Sequence, residues 1–226
     1  ASPVAPELRA LFAKARAFQE QGELPEAISA YQAVLERDPN LAAAHCNLGA
    51  IHQLQGDQEA AAAAYQAALA AKPSFALAHL NLGRLLISQQ RWLEAQASLR
   101  RAVELQPGSA TAHLELATAQ RLLGDTAGSI DGCHAALARQ PDLPEAWYSL
   151  GHLWMSQGER ANARHCFEQV LQRQSDHLAA HQNLGHVLEV MGEPEAALAS
   201  YGRALELDPA ATATFVQREK LRFSLA

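Results

Sequence analysis

The segment AAHCNLG, residues 43–49, returns as LAHLNLG at 77–83 and as AAHQNLG at 179–185. A histidine, an asparagine and a Leu-Gly pair therefore recur in one frame. Such a string is either a catalytic signature or a structural unit that carries a recognition residue. The prolines set the frame. Pro39, Pro73, Pro107 and Pro141 stand 34 residues apart, Pro209 lies two such steps further, and Ser175 holds the place between. Repeats of this length are the sequence mark of stacked architectures. The chain then divides into six units, 8–41, 42–75, 76–109, 110–143, 144–177 and 178–211, with 212–226 remaining.

Numbering each unit from 1 to 34 exposes two stripes. Position 7 is Leu48, Leu82, Leu116, Leu150 and Leu184, and position 8 is Ala15, Gly49, Gly83, Ala117, Gly151 and Gly185. With positions 4 and 11 these make an i, i+3, i+4, i+7 pattern, one face of a helix. Position 20 is Ala or Ser129, position 24 is Tyr31, Tyr65, Leu99, Cys133, Phe167 and Tyr201, and position 27 is Ala or Val. Those positions form a second helical face. Between the two lies Gly22, Gly56, Gly124, Gly158 or Gly192 at position 15, suited to a turn with positive φ. Each unit is predicted to be a helical hairpin whose second helix ends before the proline. One hairpin cannot bury its own apolar faces, so the units must stack.

Leu-Gly, then Ala, an aromatic residue, Ala and Pro at these spacings closely resemble the tetratricopeptide repeat (TPR) family over nearly the whole chain. The resemblance implies an all-α fold, a right-handed superhelix of six hairpins with a concave inner groove. Residues 1–7 read as a linker. Residues 212–226 read as a capping helix with Arg218, Glu219 and Lys220 toward water.

Composition narrows the function classes. The formal net charge of −6 argues against non-specific nucleic-acid binding, which needs a cationic surface. No apolar run is long enough to span a bilayer. Three cysteines without CxxC spacing argue against a disulfide framework and fit a reducing, cytoplasmic setting. No P-loop, GxGxxG, GxSxG or HExxH string occurs, so no enzyme and no cofactor are expected. His45, Cys46 and the other adjacent His/Cys pairs point about 100° apart on a helix and are not dyads.

The histidines of the opening strings, His45, His79, His113 and His181, share position 4 with Trp147. They are expected to pack there with one ring nitrogen hydrogen-bonded. Ligands in successive hairpins lie about 10 Å apart, too far to share one metal ion. Position 6 holds Asn47, Asn81 and Asn183, with Glu115 and Ser149 interrupting. Asparagine is a poor helix former, and its amide can bond a peptide's N–H and C=O together. "AH-x-NL" also resembles the TPR arrays of O-linked N-acetylglucosamine transferases and their bacterial relatives, where an asparagine ladder grips the peptide backbone. That resemblance implies the same role for Asn47, Asn81 and Asn183.

Positions 2, 5, 9 and 12 line the same face. Leu77, Leu80, Leu114 and Tyr148 offer apolar anchors, Arg84 and Arg121 offer partners for carboxylates, and His152 and His186 complete the expected groove. The lysine and arginine set by which some TPRs clamp a chaperone's terminal carboxylate is incomplete, with Phe12 where a lysine belongs. Three functions fit: a scaffold binding an extended peptide or protein segment; the substrate-recognition part of a larger modifying enzyme such as a glycosyltransferase; or a structural scaffold that forms homo-oligomers.

Overall fold

The computed structural model describes residues 4–225, which form thirteen α-helices and, among the described residues, no strand. The chain divides after Gly124 into two compact units. The first holds α1 (Val4–Gln21), α2 (Leu24–Arg37), α3 (Ala42–Leu54), α4 (Gln58–Ala71), α5 (Ala76–Ser88), α6 (Trp92–Leu105) and α7 (Ala110–Leu122). The second holds α8 (Thr126–Arg139), α9 (Pro144–Ser156), α10 (Arg160–Arg173), α11 (Leu178–Val190), α12 (Pro194–Leu207) and α13 (Thr212–Ser224). Helices pair as hairpins, α1 with α2, α3 with α4 and α5 with α6 in the first unit, α9 with α10 and α11 with α12 in the second. Within the first unit α2 packs on α3, α4 on α5 and α6 on α7, and α5 also touches α3 and α7 directly; within the second α8 packs on α9, α10 on α11 and α12 on α13. The fold class is the expected one, an all-α array of hairpins.

Two features of the repeat build each hairpin. At position 15, Gly22, Gly56, Gly124, Gly158 and Gly192 all have φ between 76° and 81°. A left-handed residue ends the first helix and lets the second begin two residues later. The third repeat makes the same turn with Gln90 at φ 60°, the one non-glycine at positive φ among the described residues. At position 8 the need is space. A Cβ on Gly49 would sit 2.6 Å from the Tyr65 ring, and one on Gly83, Gly151 or Gly185 would meet Leu99, Phe167 or Tyr201 as closely. The large residue at position 24 thus lies directly on the backbone of its partner helix, and Tyr31, Tyr65, Leu99 and Phe167 are fully buried.

The termini depart from the sequence reading. Residues 1–3 and 226 lie outside the described residues, but 4–7, expected as linker, already belong to α1. Pro6 is tolerated in the first turn, where no backbone N–H is needed, and Glu7 there favours the helix dipole. In α13, Lys220 is exposed as expected. Arg218 and Glu219 are only a quarter exposed and pair at 2.8 Å, with Arg222 joining Glu219. Large apolar residues also face water there: Phe215, Val216 and Phe223. Thr214 and Leu221 fill the buried side of α13.

Candidate functional site

Position 4 answers half of the question raised by the repeated string. Nε2 of His45, His79, His113 and His181 lies 2.9–3.1 Å from the carbonyl oxygen of Pro39, Pro73, Pro107 and Ser175, six residues earlier. Trp147 makes the same bond, its indole N–H donating to Pro141 O at 3.0 Å. A carbonyl only accepts, so each Nε2 carries a proton. Histidine and tryptophan are interchangeable here because both project a ring N–H, which satisfies the carbonyl of the inter-repeat turn. These imidazoles are structural. Among the described residues no group of three or more His, Cys, Asp or Glu is placed to hold a metal ion.

Position 6 gives a different geometry. On α3, Asn47 donates through Nδ2 to the Tyr31 hydroxyl at 2.8 Å, and that hydroxyl donates to Gln19 Oε1 at 2.8 Å. On α5, Asn81 donates through Nδ2 to Cys46 Sγ at 3.7 Å. Both asparagines are half-buried. Each therefore spends one N–H on the preceding repeat, which leaves a second N–H and the amide oxygen with no partner among the described residues. On α11, Nδ2 of Asn183 lies 3.1 Å from Tyr148 Oη and 3.2 Å from His152 Nε2. When Nε2 is the unprotonated nitrogen, Asn183 uses both of its N–H groups inside the unit and keeps only an acceptor. The three expected ladder members are therefore not equivalent.

One of the two interruptions, Glu115, has a role too. Glu115 accepts from Arg84 Nε at 2.7 Å, the side chains being 23% and 41% exposed. Arg84 is at position 9 of one repeat and Glu115 at position 6 of the next. The His152–Asn183 contact spans the same two positions. First helices of successive hairpins thus meet in a fixed register, position 9 against position 6. Of the two expected carboxylate-binding arginines, Arg84 is already paired, and Arg121 is exposed with no ion pair among the described residues.

The apolar anchors also separate. Leu80 is buried in the core of the first unit, packed among Leu82, Leu85 and Leu86. Leu77 is 46% exposed, and Leu114 is half-buried. In the second unit, Tyr148 stacks edge-on to His152 at 4.6 Å and to Phe167 at 5.9 Å, with His177 at 5.0 Å. His186 lines a cavity of about 180 Å³ with Met155, Arg160, Val187 and Val190.

Position 12, read from sequence as part of a variable groove, follows a rule that column-by-column reading missed. Tyr31, Tyr65 and Tyr201 donate to Gln19, Gln53 and Glu189 at 2.8–2.9 Å, all position 24 to position 12. Where position 24 is Leu99, Cys133 or Phe167, position 12 is Ile87, Arg121 or Met155. Gln19, Gln53 and Glu189 at position 12 are therefore tied to the core hydroxyls, and burial raises all three tyrosines above their ordinary range. Glu189 also accepts from Gln217 Nε2 at 2.9 and 3.0 Å, which fastens α13 to α11.

Hairpins of fixed length, with a small residue under each aromatic and a half-buried polar face along their first helices, define an α-helical repeat protein. Models of the tetratricopeptide repeat match residues 42–75, 80–144, 144–177 and 179–210, and a TPR repeat model matches 15–56. The chain belongs to the tetratricopeptide repeat family. No curated protein matches it in sequence. Among solved structures it is similar to MamA, at 26% identity over 76% of this chain and 94% of that one, with a TM-score of 0.67. It is similar in fold to PilW, a type IV pilus biogenesis factor, at 20% identity over the full length of both, with a TM-score of 0.81. It also resembles in fold YrrB, described as a TPR protein with an unusual peptide-binding site, at 19% identity over 84% and 98%, with a TM-score of 0.71. No helix among the described residues is long and apolar enough to cross a membrane.

Proposed function

We propose that the chain is a non-catalytic interaction module that binds an extended peptide or protein segment along the first helices of its hairpins. The observation that carries this is the pair Asn47 and Asn81. They lie in adjacent repeats, each amide is oriented by one internal bond, and each keeps one donor and one acceptor free. Neighbouring first helices in contact lie about 10 Å apart. An extended peptide advances about 3.3–3.6 Å per residue, so the two amides meet its backbone three residues apart. Backbone recognition of this kind is indifferent to side chains, which suits a scaffold. Three thiols free of disulfides accord with a reducing compartment such as the cytoplasm.

The test is a panel of extended peptides of unrelated sequence, titrated against the full chain by calorimetry. Replacing both Asn47 and Asn81 with Ala is expected to weaken every member that binds by about tenfold, the worth of one or two hydrogen bonds. Affinity unchanged across the panel, with helical content intact by circular dichroism, rejects the reading.

A further inference from the structure

The charges on the first-helix face suggest what kind of segment it takes. Within the first unit, positions 2, 5, 6, 9 and 12 of α1, α3, α5 and α7 carry Arg9, Arg16, Arg84 and Arg121 against one carboxylate, Glu115. Two of these arginines are neutralised locally, Arg16 by Glu20 at 2.9 Å and Arg84 by Glu115 at 2.7 Å. Arg9 and Arg121 are exposed and have no carboxylate partner among the described residues. This face is therefore net cationic on a chain whose formal charge is −6. In the second unit the same positions of α9, α11 and α13 carry Glu145 and Glu189 against Lys220, so the excess is confined to the first unit.

The internal pairing decides which arginine is available. Glu115 interrupts the asparagine ladder but does not repel an anion, because Arg84 holds it. Arg121 lies six residues further along α7, about 9 Å at the helical rise. An arginine and a glutamate side chain together span that distance. Leu77 and Leu114 supply apolar surface on the same two helices.

Resting on the groove reading above, we propose that the partner is an acidic extended segment. Asn47 and Asn81 hold its backbone, an internal Asp or Glu side chain pairs with Arg121, and apolar side chains flank it at Leu77 and Leu114. Guanidinium and carboxylate make the strongest of the common polar pairs, and a face of one sign selects partners of the other.

Four first helices about 10 Å apart span about 30 Å, the reach of about nine extended residues. The probe is accordingly a fluorescein-labelled peptide of about that length, alternating Leu and Glu, with its C-terminus amidated so that only side chains carry charge. Its counterpart has Gln for every Glu. Anisotropy against the full chain at low salt is expected to show the Glu peptide about tenfold tighter. Arg121→Gln should abolish that advantage and Arg121→Lys should keep part of it, while added salt narrows the gap for the parent protein. Equal affinity for the two peptides overturns the acidic preference and leaves the groove standing. A preference that survives Arg121→Gln overturns the role of this residue. If neither peptide binds, the groove reading fails and this inference fails with it.

Discussion

A Cβ atom is unwelcome at two places in each hairpin, for two different reasons. At Gly49 it collides with the Tyr65 ring at 2.6 Å, whereas at Gly56 it meets nothing within 4 Å and the difficulty is the φ of 81°. Gly49→Ala should therefore destabilise through overpacking, by about 1–3 kcal/mol. Gly56→Ala should cost about 1–2 kcal/mol through backbone strain alone. Gln90 runs the second experiment in reverse, since it adopts the left-handed conformation with a side chain attached. Gln90→Gly should stabilise the protein by up to about 1 kcal/mol, read as a rise in urea midpoint with unchanged slope. No gain would mean that Gln90 makes compensating contacts. Both glycine positions were legible from the repeat frame. The histidines at position 4 were legible as packing groups, but not the carbonyl they satisfy, because that bond joins two units and needs their geometry.

At the scale of the helix pair, the coupling of positions 12 and 24 separates residues that serve recognition from residues that serve packing. Gln53 lies on the first-helix face, yet its carbonyl oxygen accepts from the buried Tyr65 hydroxyl at 2.9 Å. Tyr65→Phe leaves Gln53 without its donor, and Gln53→Met leaves the hydroxyl without its acceptor. Each should cost about 1 kcal/mol. The double variant reproduces the Phe167 and Met155 combination that the fifth repeat already uses. Its cost should fall short of the sum by about 1 kcal/mol, measured as a double-mutant cycle in urea. Strict additivity would show that the bond contributes nothing. The signal for this rule was present in the sequence, in Tyr31 with Gln19, Tyr65 with Gln53 and Tyr201 with Glu189. It appears only when two columns are compared, as does the pairing of Arg84 with Glu115. Reading each column alone overstated the groove, which counted Leu80 and Arg84 as free surface.

For the whole molecule, a 34-residue period with small residues at fixed places specifies the architecture more strongly than composition does. The hairpins follow from that period, while the division after Gly124 does not. The cysteines connect this packing to solution behaviour. All three are buried, and burial pushes the Cys46 thiol up to about 11, against an opposing hydrogen bond from Asn81. Cys166 is pushed up to about 12, by burial first and by neighbouring Cys133 second. A thiol raised in the folded state stays protonated there after its unfolded counterpart has ionised. Above pH 9 the native chain thus binds more protons than the unfolded one, and stability falls as pH rises. The contribution is fully present below the unfolded value near 9 and is lost on the way through 11 to 12. The buried tyrosines add to the loss above pH 10 with the same sign. Urea midpoints should therefore be level on this account until the pH approaches 9, the ordinary thiol value, and then decline. Between pH 9 and 10 the decline should be shallower in a Cys46→Ala, Cys166→Ala variant, because most of the tyrosine contribution falls above pH 10. A midpoint that stays flat through pH 10 in the parent protein would place these thiols in contact with water and overturn the burial of Cys46 and Cys166.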